Sequence, residues 1–537
     1  MITGNKIWGP SATRKMGMRT IHGIEMFTFL DMPENLYEML ARTADKYPEK
    51  CGIYDNWGHS ETYASLKRRV DQMAAWLEGE AGVKKGSHVG MLLHNSREFC
   101  VTFYALAKMG AVSIPFPTKY REPELRALVG KADLDVLIYH EQFEEWVQGF
   151  PLEHVRCFRS QDEENGFGFR HLLTDEWIGR EYTPSRGKLE DPIIIMFTSG
   201  TTSQSKGVVL RNYNAVHAIM TYCRVLDIKP GDKTIIPVPI YHITGLIALL
   251  GLFIYAGGSL YLYRRYDARR ILECIRKEEI TFMHGSPTVY GKMMDFKEEY
   301  PELPSLKVMA CGSSYMPVEK MKEFHRWLPD TKFQVIYGMT ETSSPALIFP
   351  GDSSVSEYAG AAGWPVPGIQ FKFLDDKGKE LGPGQVGEIW VRGSMVLEQY
   401  YKMETGLITS DHWLNTGDMG YYNEKYYVYI VDRKKDMINR GGEKIWCTDI
   451  EDEIQRIPGV KEVAVAGIPD AIYGEVAAAV VVAHPGTRLS REQIQDELKD
   501  RVARYKIPQK ILFVDEIPKT PGLKVDKKHI RTMGSVK

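Results

Sequence analysis

Short apolar runs alternate with helical periodicity through the first part of the chain. His88–His94 has the length and character of a buried strand, and Ser96–Gly110 has helical spacing between a capping serine and a terminating glycine. A strand, a helix and another strand are predicted next, at Ala111–Pro117, Glu122–Asp133 and Asp135–His140. Because parallel strands need crossover connections, this alternation predicts parallel sheets joined by helices.

Two other regions have different patterns. The first twenty or so residues are polar and irregular, and we expect them to form an arm on the surface. Leu246–Tyr263 carries no charge and is just long enough to suggest a membrane span. However, Gly257 and Gly258 divide this stretch, and tyrosines lie inside it. We therefore predict a buried helix that ends at glycine and is followed by a strand, and no transmembrane segment.

The pattern changes near Gly368, where short alternating strands separated by turn signals predict a twisted antiparallel or barrel-like piece. Farther on, a strand at Glu475–Ala483 and a helix at Ser490–Val502 predict a small α+β unit. The predicted fold class is therefore α/β. A large N-terminal domain, residues 1–433, holds parallel α/β sheets and the small β-barrel-like piece, and a small α+β C-terminal domain spans residues 434–537.

Size and charge narrow the class of protein. A chain of 537 residues exceeds what one hydrophobic core usually serves, which supports two or more domains. Its formal net charge of -2 gives no electrostatic reason to expect binding to nucleic acid or to a membrane. The seven cysteines form no CxxC pair, and the N-terminus has no apolar signal segment. We therefore expect a cytoplasmic protein with reduced thiols and no nucleic-acid partner.

The most informative polar stretch is Thr198–Lys206, which follows the apolar run Ile193–Met196. Its hydroxyl groups, backbone N–H groups and the Lys206 ammonium would offer a phosphate chain many donors at close range. It is not a Walker A loop, because Gly207 follows the lysine where that motif requires Ser or Thr. Taken alone, the stretch is equally compatible with a Ser/Thr-rich surface turn.

Four further motifs follow this loop in order. They are Tyr-Gly-Met-Thr-Glu-Thr at 337–342, Asn-Thr-Gly-Asp at 415–418, Asp-Arg-Lys-Lys-Asp-Met-Ile at 432–438 and Pro-Lys-Thr-Pro-Gly-Leu-Lys at 518–524. Together with the loop they resemble the adenylate-forming superfamily of acyl-CoA synthetases, peptide-synthetase adenylation domains and luciferases, over nearly the whole chain. The resemblance implies an enzyme that joins a carboxylic acid to AMP, releases pyrophosphate and uses its C-terminal domain as a mobile lid.

The resemblance implies a nucleotide site in which each motif has a task. The loop would hold the β- and γ-phosphates, Tyr337 would stack on adenine, and Thr340 would donate to the α-phosphate. Glu341 would ligate Mg²⁺, while Asp418 and Arg433 would bind the ribose. The implied ATP-binding residues are Thr198, Ser199, Gly200, Thr201, Thr202, Lys206, Gly312, Tyr337, Thr340, Asp418, Arg433 and Lys524. Without the other motifs, Glu341 would be more typical of a solvated side chain and Asp418 of a turn cap.

The residues around the acid are implied in the same way. Lys524 would bridge the substrate carboxylate and the α-phosphate, and His242 would position the carboxylate or control access. The implied catalytic residues are Lys524, Thr340, Glu341 and His242, and the implied acyl-pocket residues are His242, Gly312, Gly338 and Met339. Adenylation domains for α-amino acids usually place an aspartate near His242, and none stands between Pro237 and Leu250, which argues against such a substrate. The apolar run Ile243–Ala256 favours a substantially hydrophobic acid.

A second half-reaction is implied by the motifs of the C-terminal domain. Gly441 and Gly442 would line a channel for the pantetheine arm of CoA, since glycine lets a thin chain approach the backbone closely. Lys435 matches the hinge about which the lid turns. Lys527 and Lys528 are expected to be solvated. In the loops, Ser203 and Leu523 stand where the family usually has glycine and Ser205 where it has proline, which bears on loop geometry.

Several functions are compatible with these motifs. The leading interpretation is an acid:CoA ligase, whose partners would be a small-molecule carboxylic acid, ATP and CoA, with Mg²⁺ as cofactor. The alternatives are an acyl-AMP ligase that loads a separate carrier protein, a luciferase-like oxygenase and a non-catalytic nucleotide-binding regulator. The acid itself is left open between aryl, medium-chain and polar-headed classes, and a homodimer is also left open.

Overall fold

The computed structural model describes residues 1–174, 177, 185–198, 205–520 and 524–535. Its strands, in chain order, are β1 (Ile2–Thr3), β2 (Met16–Ile21), β3 (Ile24–Phe29), β4 (Cys51–Asp55), β5 (Ser60–Thr62), β6 (His88–Leu92), β7 (Val112–Pro115), β8 (Val136–His140), β9 (Arg156–Ser160), β10 (Pro192–Phe197), β11 (Gly207–Arg211), β12 (Lys233–Ile236), β13 (Ser259–Leu262), β14 (Phe282–Gly285), β15 (Val308–Cys311), β16 (Lys332–Tyr337), β17 (Leu347–Ile348), β18 (Trp364–Pro365), β19 (Ile369–Leu374), β20 (Gly387–Gly393), β21 (Leu414–Tyr422), β22 (Val428–Arg433), β23 (Ile438–Arg440), β24 (Glu443–Ile445), β25 (Val460–Asp470), β26 (Gly474–Ala483) and β27 (Lys510–Phe513). Its α-helices are α1 (Pro10–Thr13), α2 (Leu36–Lys46), α3 (Tyr63–Gly79), α4 (Arg97–Met109), α5 (Glu122–Val129), α6 (Glu144–Val147), α7 (Asn212–Val225), α8 (Leu252–Ala256), α9 (Ala268–Glu278), α10 (Pro287–Met294), α11 (Val318–Trp327), α12 (Cys447–Gln455), α13 (Arg491–Lys499) and α14 (Lys527–Ser535).

Three sheets organise the chain before residue 434. One has six strands in the order β11-β10-β7-β6-β8-β9, and only its β10–β11 pair is antiparallel. The second has nine strands in the order β18-β17-β16-β15-β14-β12-β13-β4-β5, parallel from β16 to β4 and antiparallel at both ends. The third is the antiparallel sheet β1-β19-β20-β21-β22, in the region where an antiparallel or barrel-like piece was predicted. The α/β class is confirmed, with mixed sheets in place of purely parallel ones.

A fourth sheet lies after residue 437, in the order β24-β23-β26-β25, with β27 parallel to β26. Helices α12 and α13 contribute Ile450, Ile454, Ile494 and Leu498 to a core that also contains Val481 of β26. All buried members of this core lie between residues 438 and 511, so the C-terminal part has a hydrophobic core of its own. The domain boundary at 433/434 stays a prediction.

Local signals fixed the ends of α4 as the sequence predicted. The Ser96 hydroxyl accepts from the backbone N–H of Phe99 at 3.2 Å, which satisfies a donor at the start of the helix. Gly110 ends the helix in the left-handed conformation, with φ 73°. The helix is buried along its whole length, as expected for a crossover connection that packs against other elements on several sides.

The prediction of an irregular N-terminal arm is wrong. Residues of β1 pair with β19 at the edge of the antiparallel sheet, and β2 and β3 form a hairpin. The hairpin turns at His22 and Gly23, which both have positive φ angles of 55° and 76°. Two consecutive residues of this kind form the turn that suits the twist of a two-stranded hairpin, so the signal was present in the sequence.

The uncharged stretch after residue 243 is a buried helix followed by a strand, as predicted. Its first part, Thr244–Gly251, is π-helical and continues into α8. Gly257 then ends α8 with φ 74°, and β13 follows. Within the part of the chain that the structure describes, no helix combines the length and the apolar character that crossing a membrane requires.

Candidate active site

A cavity of about 2410 Å³ opens where the N-terminal sheets meet the C-terminal sheet. Its lining includes these predicted residues: Thr198, Lys206, His242, Tyr337, Gly338, Met339, Thr340, Glu341, Asp418, Arg433, Lys435 and Lys524. Gly312, Gly441 and Gly442 are not among the lining residues. Ser199, Gly200, Thr201 and Thr202 lie outside the described residues. Motifs that are far apart in the sequence therefore meet at one cavity.

Three predicted nucleotide-binding residues form one polar group. Tyr337 is the last residue of β16, and its hydroxyl donates to Asp418 Oδ2 at 2.6 Å. Asp418 and Arg433 are cross-strand partners on β21 and β22, with Arg433 Nε 3.2 Å from Asp418 Oδ1. Burial raises the pKa of Asp418, and the Arg433 guanidinium opposes that rise. Tyr337 and Arg433 each contact one oxygen of the Asp418 carboxylate, and together they fix its orientation. A carboxylate held in this way can accept hydrogen bonds from the hydroxyls of a sugar.

The segment after Tyr337 is held in a strained turn. A Cβ at Gly338 would lie 1.4 Å from the Ser344 carbonyl oxygen, so only glycine fits there. Ser343 and Ser344 both have positive φ angles, 56° and 96°, which are costly for residues other than glycine. The turn directs Glu341 into the cavity, where its Oε1 accepts from the hydroxyl of Tyr400 at 3.1 Å.

The predicted phosphate loop connects two antiparallel strands. Thr198 and Lys206 stand at its two ends, and the Thr198 backbone N–H donates to the Lys206 carbonyl at 3.0 Å. The Lys206 ammonium lies 5.1 Å from the centre of the Tyr400 ring. Because Tyr400 also donates to Glu341, it connects the lysine of the loop with the predicted metal ligand. Sequence reasoning missed Tyr400, since no motif surrounds it.

His242 lies at the cavity wall and is unprotonated. Its Nε2 is buried and has no hydrogen-bond partner among the described residues. Burial lowers its pKa to about 3, with further lowering by the positive charges of Lys524 and Lys119. A neutral imidazole can accept or donate one hydrogen bond through this nitrogen without adding charge. The side chain is therefore suited to positioning a ligand group.

Lys524 enters the cavity from the C-terminal part of the chain. Its carbonyl accepts from the Thr520 backbone N–H at 2.8 Å, which closes the loop that carries it. Lys524 is exposed to the open cavity. Desolvation by the protein around the ammonium and then the positive charge of Arg433 lower its pKa, while the carboxylates of Glu341 and Asp418 oppose the change. The predicted adenylation lysine and the predicted nucleotide residues therefore lie within one electrostatic group.

The two glycines predicted to line the thiol channel lie away from the cavity in this structure. Gly441 and Gly442 form the exposed turn between β23 and β24, with φ 59° and 96°. A Cβ at Gly442 would meet nothing within 4 Å. Lys435 is exposed and lies between β22 and β23, where the chain passes from the third sheet to the C-terminal sheet.

The expectation that Lys527 is solvated is wrong. Its ammonium lies 3.6 Å from Asp432 and 3.9 Å from Glu451. Burial alone would lower the pKa of Lys527, but the carboxylates of Glu451 and Asp432 raise it. Asp432 Oδ2 also accepts from the Cys447 backbone N–H at 2.8 Å, so the cluster ties the segment before Lys435 to α12 and α14.

A second polar cluster, away from the cavity, contains His140, Asp162 and Glu163. His140 Nδ1 accepts from the Gln142 backbone N–H at 3.2 Å, so the proton of the neutral ring sits on Nε2. That nitrogen faces the two carboxylates, and Arg264 Nη1 lies 3.0 Å from Asp162. A protonated nitrogen and a guanidinium leave no place for a cation, and the cluster is an ion-pair network rather than a metal site.

Comparison with known proteins places this geometry in a family. The AMP-binding enzyme family matches residues 40–401, and the AMP-binding enzyme C-terminal domain matches residues 449–524. The indoleacetate–CoA ligase of Aromatoleum aromaticum is 30% identical over 503 residues, which cover 92% of this chain and 95% of that protein. A fatty acid–[acyl-carrier-protein] ligase of Streptomyces coeruleorubidus is 30% identical over 484 residues, 88% of this chain and 92% of that protein.

A solved structure agrees over almost the whole fold. The o-succinylbenzoate coenzyme A synthetase of Bacillus subtilis, in complex with ATP and magnesium ion, superposes with a TM-score of 0.78 at 26% identity, covering 92% of this chain and 98% of that one. Both family matches lie in the order that the motifs predicted, and the larger spans more than half of the chain. The chain therefore belongs to the AMP-binding enzyme family.

Proposed function

We propose that the protein is an ATP-dependent acid:CoA ligase. It activates a carboxylic acid as acyl-AMP, releases pyrophosphate and then transfers the acyl group to CoA, giving acyl-CoA and AMP. The observation that carries the proposal is the position of Lys524, which enters the cavity from the C-terminal part among Glu341, Asp418 and Arg433. Membership of the AMP-binding enzyme family supports the nucleotide half of the reaction.

In the first step a carboxylate oxygen attacks the α-phosphorus, and the bond to the β-phosphate breaks as pyrophosphate leaves. Two anions must approach each other, so the site has to supply fixed positive charge. Lys524 bridges the carboxylate and the α-phosphate, and Lys206 faces the leaving phosphates. Thr340 donates to the α-phosphate, and Tyr337 with Asp418 holds the nucleoside.

Glu341 fits a magnesium ion. Its carboxylate is a hard oxygen ligand in a cavity that phosphates would enter, and Mg²⁺ needs few protein ligands when phosphates and water supply the rest. When bound, Mg²⁺ neutralises phosphate charge. Tyr400 holds one oxygen of Glu341 by a hydrogen bond, which fixes the orientation of the carboxylate.

The second step needs a different arrangement of the C-terminal part. The CoA sulfur attacks the acyl carbonyl, and AMP leaves with the bonding electrons. Gly441 and Gly442 line the thiol channel in this step, yet they now lie on an exposed turn away from the cavity. In our proposal residues 434–537 form a mobile lid, and its rotation about Lys435 carries Lys524 out of the cavity and brings the glycines in.

The acid is hydrophobic in our proposal. The cavity lining that includes His242 also includes the apolar side chains of Met196, Phe197 and Tyr241. The uncharged segment Thr244–Gly251 and α8 are almost wholly buried and are not among the lining residues. The acids for which the two relatives are named, indoleacetate and fatty acid, suit an apolar acyl group. A carrier protein as acceptor is the second candidate, because one relative is named as a carrier-protein ligase.

A panel of acids tests the function. Pyrophosphate release should occur with one class of hydrophobic acid, and AMP with acyl-CoA should accumulate only when CoA is added. Acyl-AMP formation that CoA does not advance, but a carrier protein does, would favour the second candidate. Absence of acid-dependent pyrophosphate release across aryl, medium-chain, long-chain and polar-headed acids would refute the proposal.

A further inference from the structure

A partly buried hydrogen bond joins the lid to the loop that follows β15. The hydroxyl of Tyr315 donates to Asp452 Oδ2 at 2.6 Å, and both side chains are partly buried. Tyr315 follows β15 and lines the cavity, whereas Asp452 is on α12. Burial raises the pKa of Asp452 to about 6, and the hydrogen bond from Tyr315 opposes that rise.

Two ion pairs that also join the lid to the preceding part of the chain are more exposed. Lys461 lies 2.7 Å from Asp295, with side chains 35% and 48% exposed. Lys292 lies 3.7 Å from Glu516, with side chains 49% and 65% exposed. Exposed ion pairs of this kind contribute little, whereas a desolvated hydrogen bond to a carboxylate contributes more. The buried contacts of Asp432 with Cys447 and Lys527 lie beside the proposed hinge at Lys435. Of the three contacts farther from the hinge, the Tyr315–Asp452 bond is therefore the one whose loss should be felt most.

Tyr315 belongs to a strained loop that reaches the nucleotide residues. Ser313, two positions earlier, has φ 70°, a conformation that costs energy in a residue other than glycine. A Cβ at Gly312 would lie 2.8 Å from the Ile336 carbonyl oxygen, so the loop packs tightly against the end of β16. Ile336 is followed directly by Tyr337, whose hydroxyl donates to Asp418. A restraint on Tyr315 thus acts on the loop beside the nucleoside site.

Asp452 and Lys524 move together if the lid moves. Glu451, the residue before Asp452, accepts from the Val465 backbone N–H at 2.8 Å and lies 3.9 Å from Lys527. These contacts fix α12 to β25 and to the segment that follows Lys524. Any rotation about Lys435 that removes Lys524 from the cavity therefore also separates Asp452 from Tyr315.

We propose that Tyr315 and Asp452 form a latch that holds the lid in the adenylation pose and orders the Gly312–Tyr315 loop at the same time. In this proposal Tyr315 is a positioning residue, which acts through the Gly312–Tyr315 loop. The latch forms for the first half-reaction and breaks for the second. The inference rests on the proposed two-step function.

The test measures both half-reactions of wild type, Tyr315→Phe, Asp452→Ala and Asp452→Asn. Tyr315→Phe and Asp452→Ala should lower acyl-AMP formation about 10-fold, the effect of losing one hydrogen bond to a charged group. Thioester formation from presynthesised acyl-AMP and CoA should be unchanged or faster. Asp452→Asn keeps an oxygen acceptor and should recover part of the adenylation rate. Lys461→Met, which removes the exposed pair, is the matched control and should change either rate less than 2-fold.

The possible outcomes distinguish a failure of the proposed latch from a failure of the proposed function. If wild type runs both half-reactions and the Tyr315 and Asp452 variants match it, the latch is wrong and the function stands. If Tyr315→Phe and Asp452→Ala slow both half-reactions equally, the bond is merely structural and the latch is also wrong. A wild-type protein that performs neither half-reaction would refute the proposed function together with the latch. Because Asp452 lies on a different element from Tyr315, a folding defect in one variant leaves the other to decide.

Discussion

At the residue scale, Asp418 is the group on which the proposed nucleoside site depends. It is 4% exposed and accepts from Tyr337 while facing Arg433. Asp418→Ala should raise the KM for ATP about 10–100-fold, corresponding to about 1.5–3 kcal/mol for hydrogen bonds to a charged group. Steady-state kinetics at saturating acid measures this. Asp330→Ala, an exposed change, is the control, and an unaltered KM in Asp418→Ala would remove this residue from the nucleotide site.

A buried carboxyl on α4 should make stability depend on pH. Burial, reinforced by Glu163, raises the pKa of Glu98 from 4.5 to about 7, while the Gly168 backbone N–H opposes the rise. The folded state thus holds a proton that the unfolded state releases, and this contribution to stability is complete below pH 4.5 and is lost as pH rises through about 7. Glu98→Gln keeps an oxygen acceptor for the Gly168 N–H but cannot titrate. Between pH 5 and pH 8 the free energy of unfolding of the wild type should therefore fall by about 1–3 kcal/mol more than that of the variant.

Urea unfolding of the wild type and Glu98→Gln at both pH values measures this difference. Glu153→Gln, at an exposed position, is the control and should leave the pH dependence unchanged. Identical pH dependence in wild type and Glu98→Gln would show that Glu98 is ionised in the folded protein.

Single residues were predictable where a motif surrounds them. Tyr337 and Arg433 each end a strand, so apolar periodicity followed by a recognisable motif located them at the cavity. Tyr400 and Tyr315 carry no such signal, because their importance depends on contacts with Glu341 and Asp452 that are distant in sequence. Lys527 was misjudged for the same reason.

At the element scale, the turn between β23 and β24 should affect only the thiol step. Gly442→Leu would add a side chain that meets open space in the present arrangement, at a φ of 96°. Gly378→Leu is the matched control, since Gly378 also has a positive φ, 79°, and open space around it. Both substitutions should lower the unfolding temperature similarly because of backbone strain.

Only Gly442→Leu should slow thioester formation, on the order of 10-fold or more by narrowing the proposed channel, and both variants should form acyl-AMP normally. Equal thioester rates in the Gly442 and Gly378 variants would place the channel elsewhere. Assays of the two half-reactions, run beside thermal unfolding, provide the comparison.

Elements were predictable where caps and periodicity agree. Ser96 and Gly110 fixed α4, and Gly257 fixed the end of α8. The N-terminal hairpin was missed because its two-residue turn at His22 and Gly23 was not weighed against the polar composition around it. The π-helical start of Thr244–Gly251 was not predictable, since an uncharged run has no polar face from which to read a period.

At the scale of the whole molecule, the orientation of the lid could not be predicted from the sequence. The small α+β unit and its separate core follow from local patterns. Its orientation depends instead on contacts such as Tyr315–Asp452, between residues whose proximity only the folded chain establishes. The structure has Lys524 in the cavity and Gly441–Gly442 on an exposed turn, which is the arrangement that we propose for the first half-reaction.

The central claim is that one lid serves two half-reactions, and Lys524→Ala tests it most directly. The account predicts that acyl-AMP formation falls on the order of 10²–10³-fold, the cost of one preorganised charge-stabilising donor. Thioester formation from presynthesised acyl-AMP and CoA should remain nearly unaffected, because the lid has then carried that lysine out of the cavity. Lys377→Ala, an exposed lysine on a turn, should alter neither rate. Equal slowing of both half-reactions by Lys524→Ala would contradict the two-pose account.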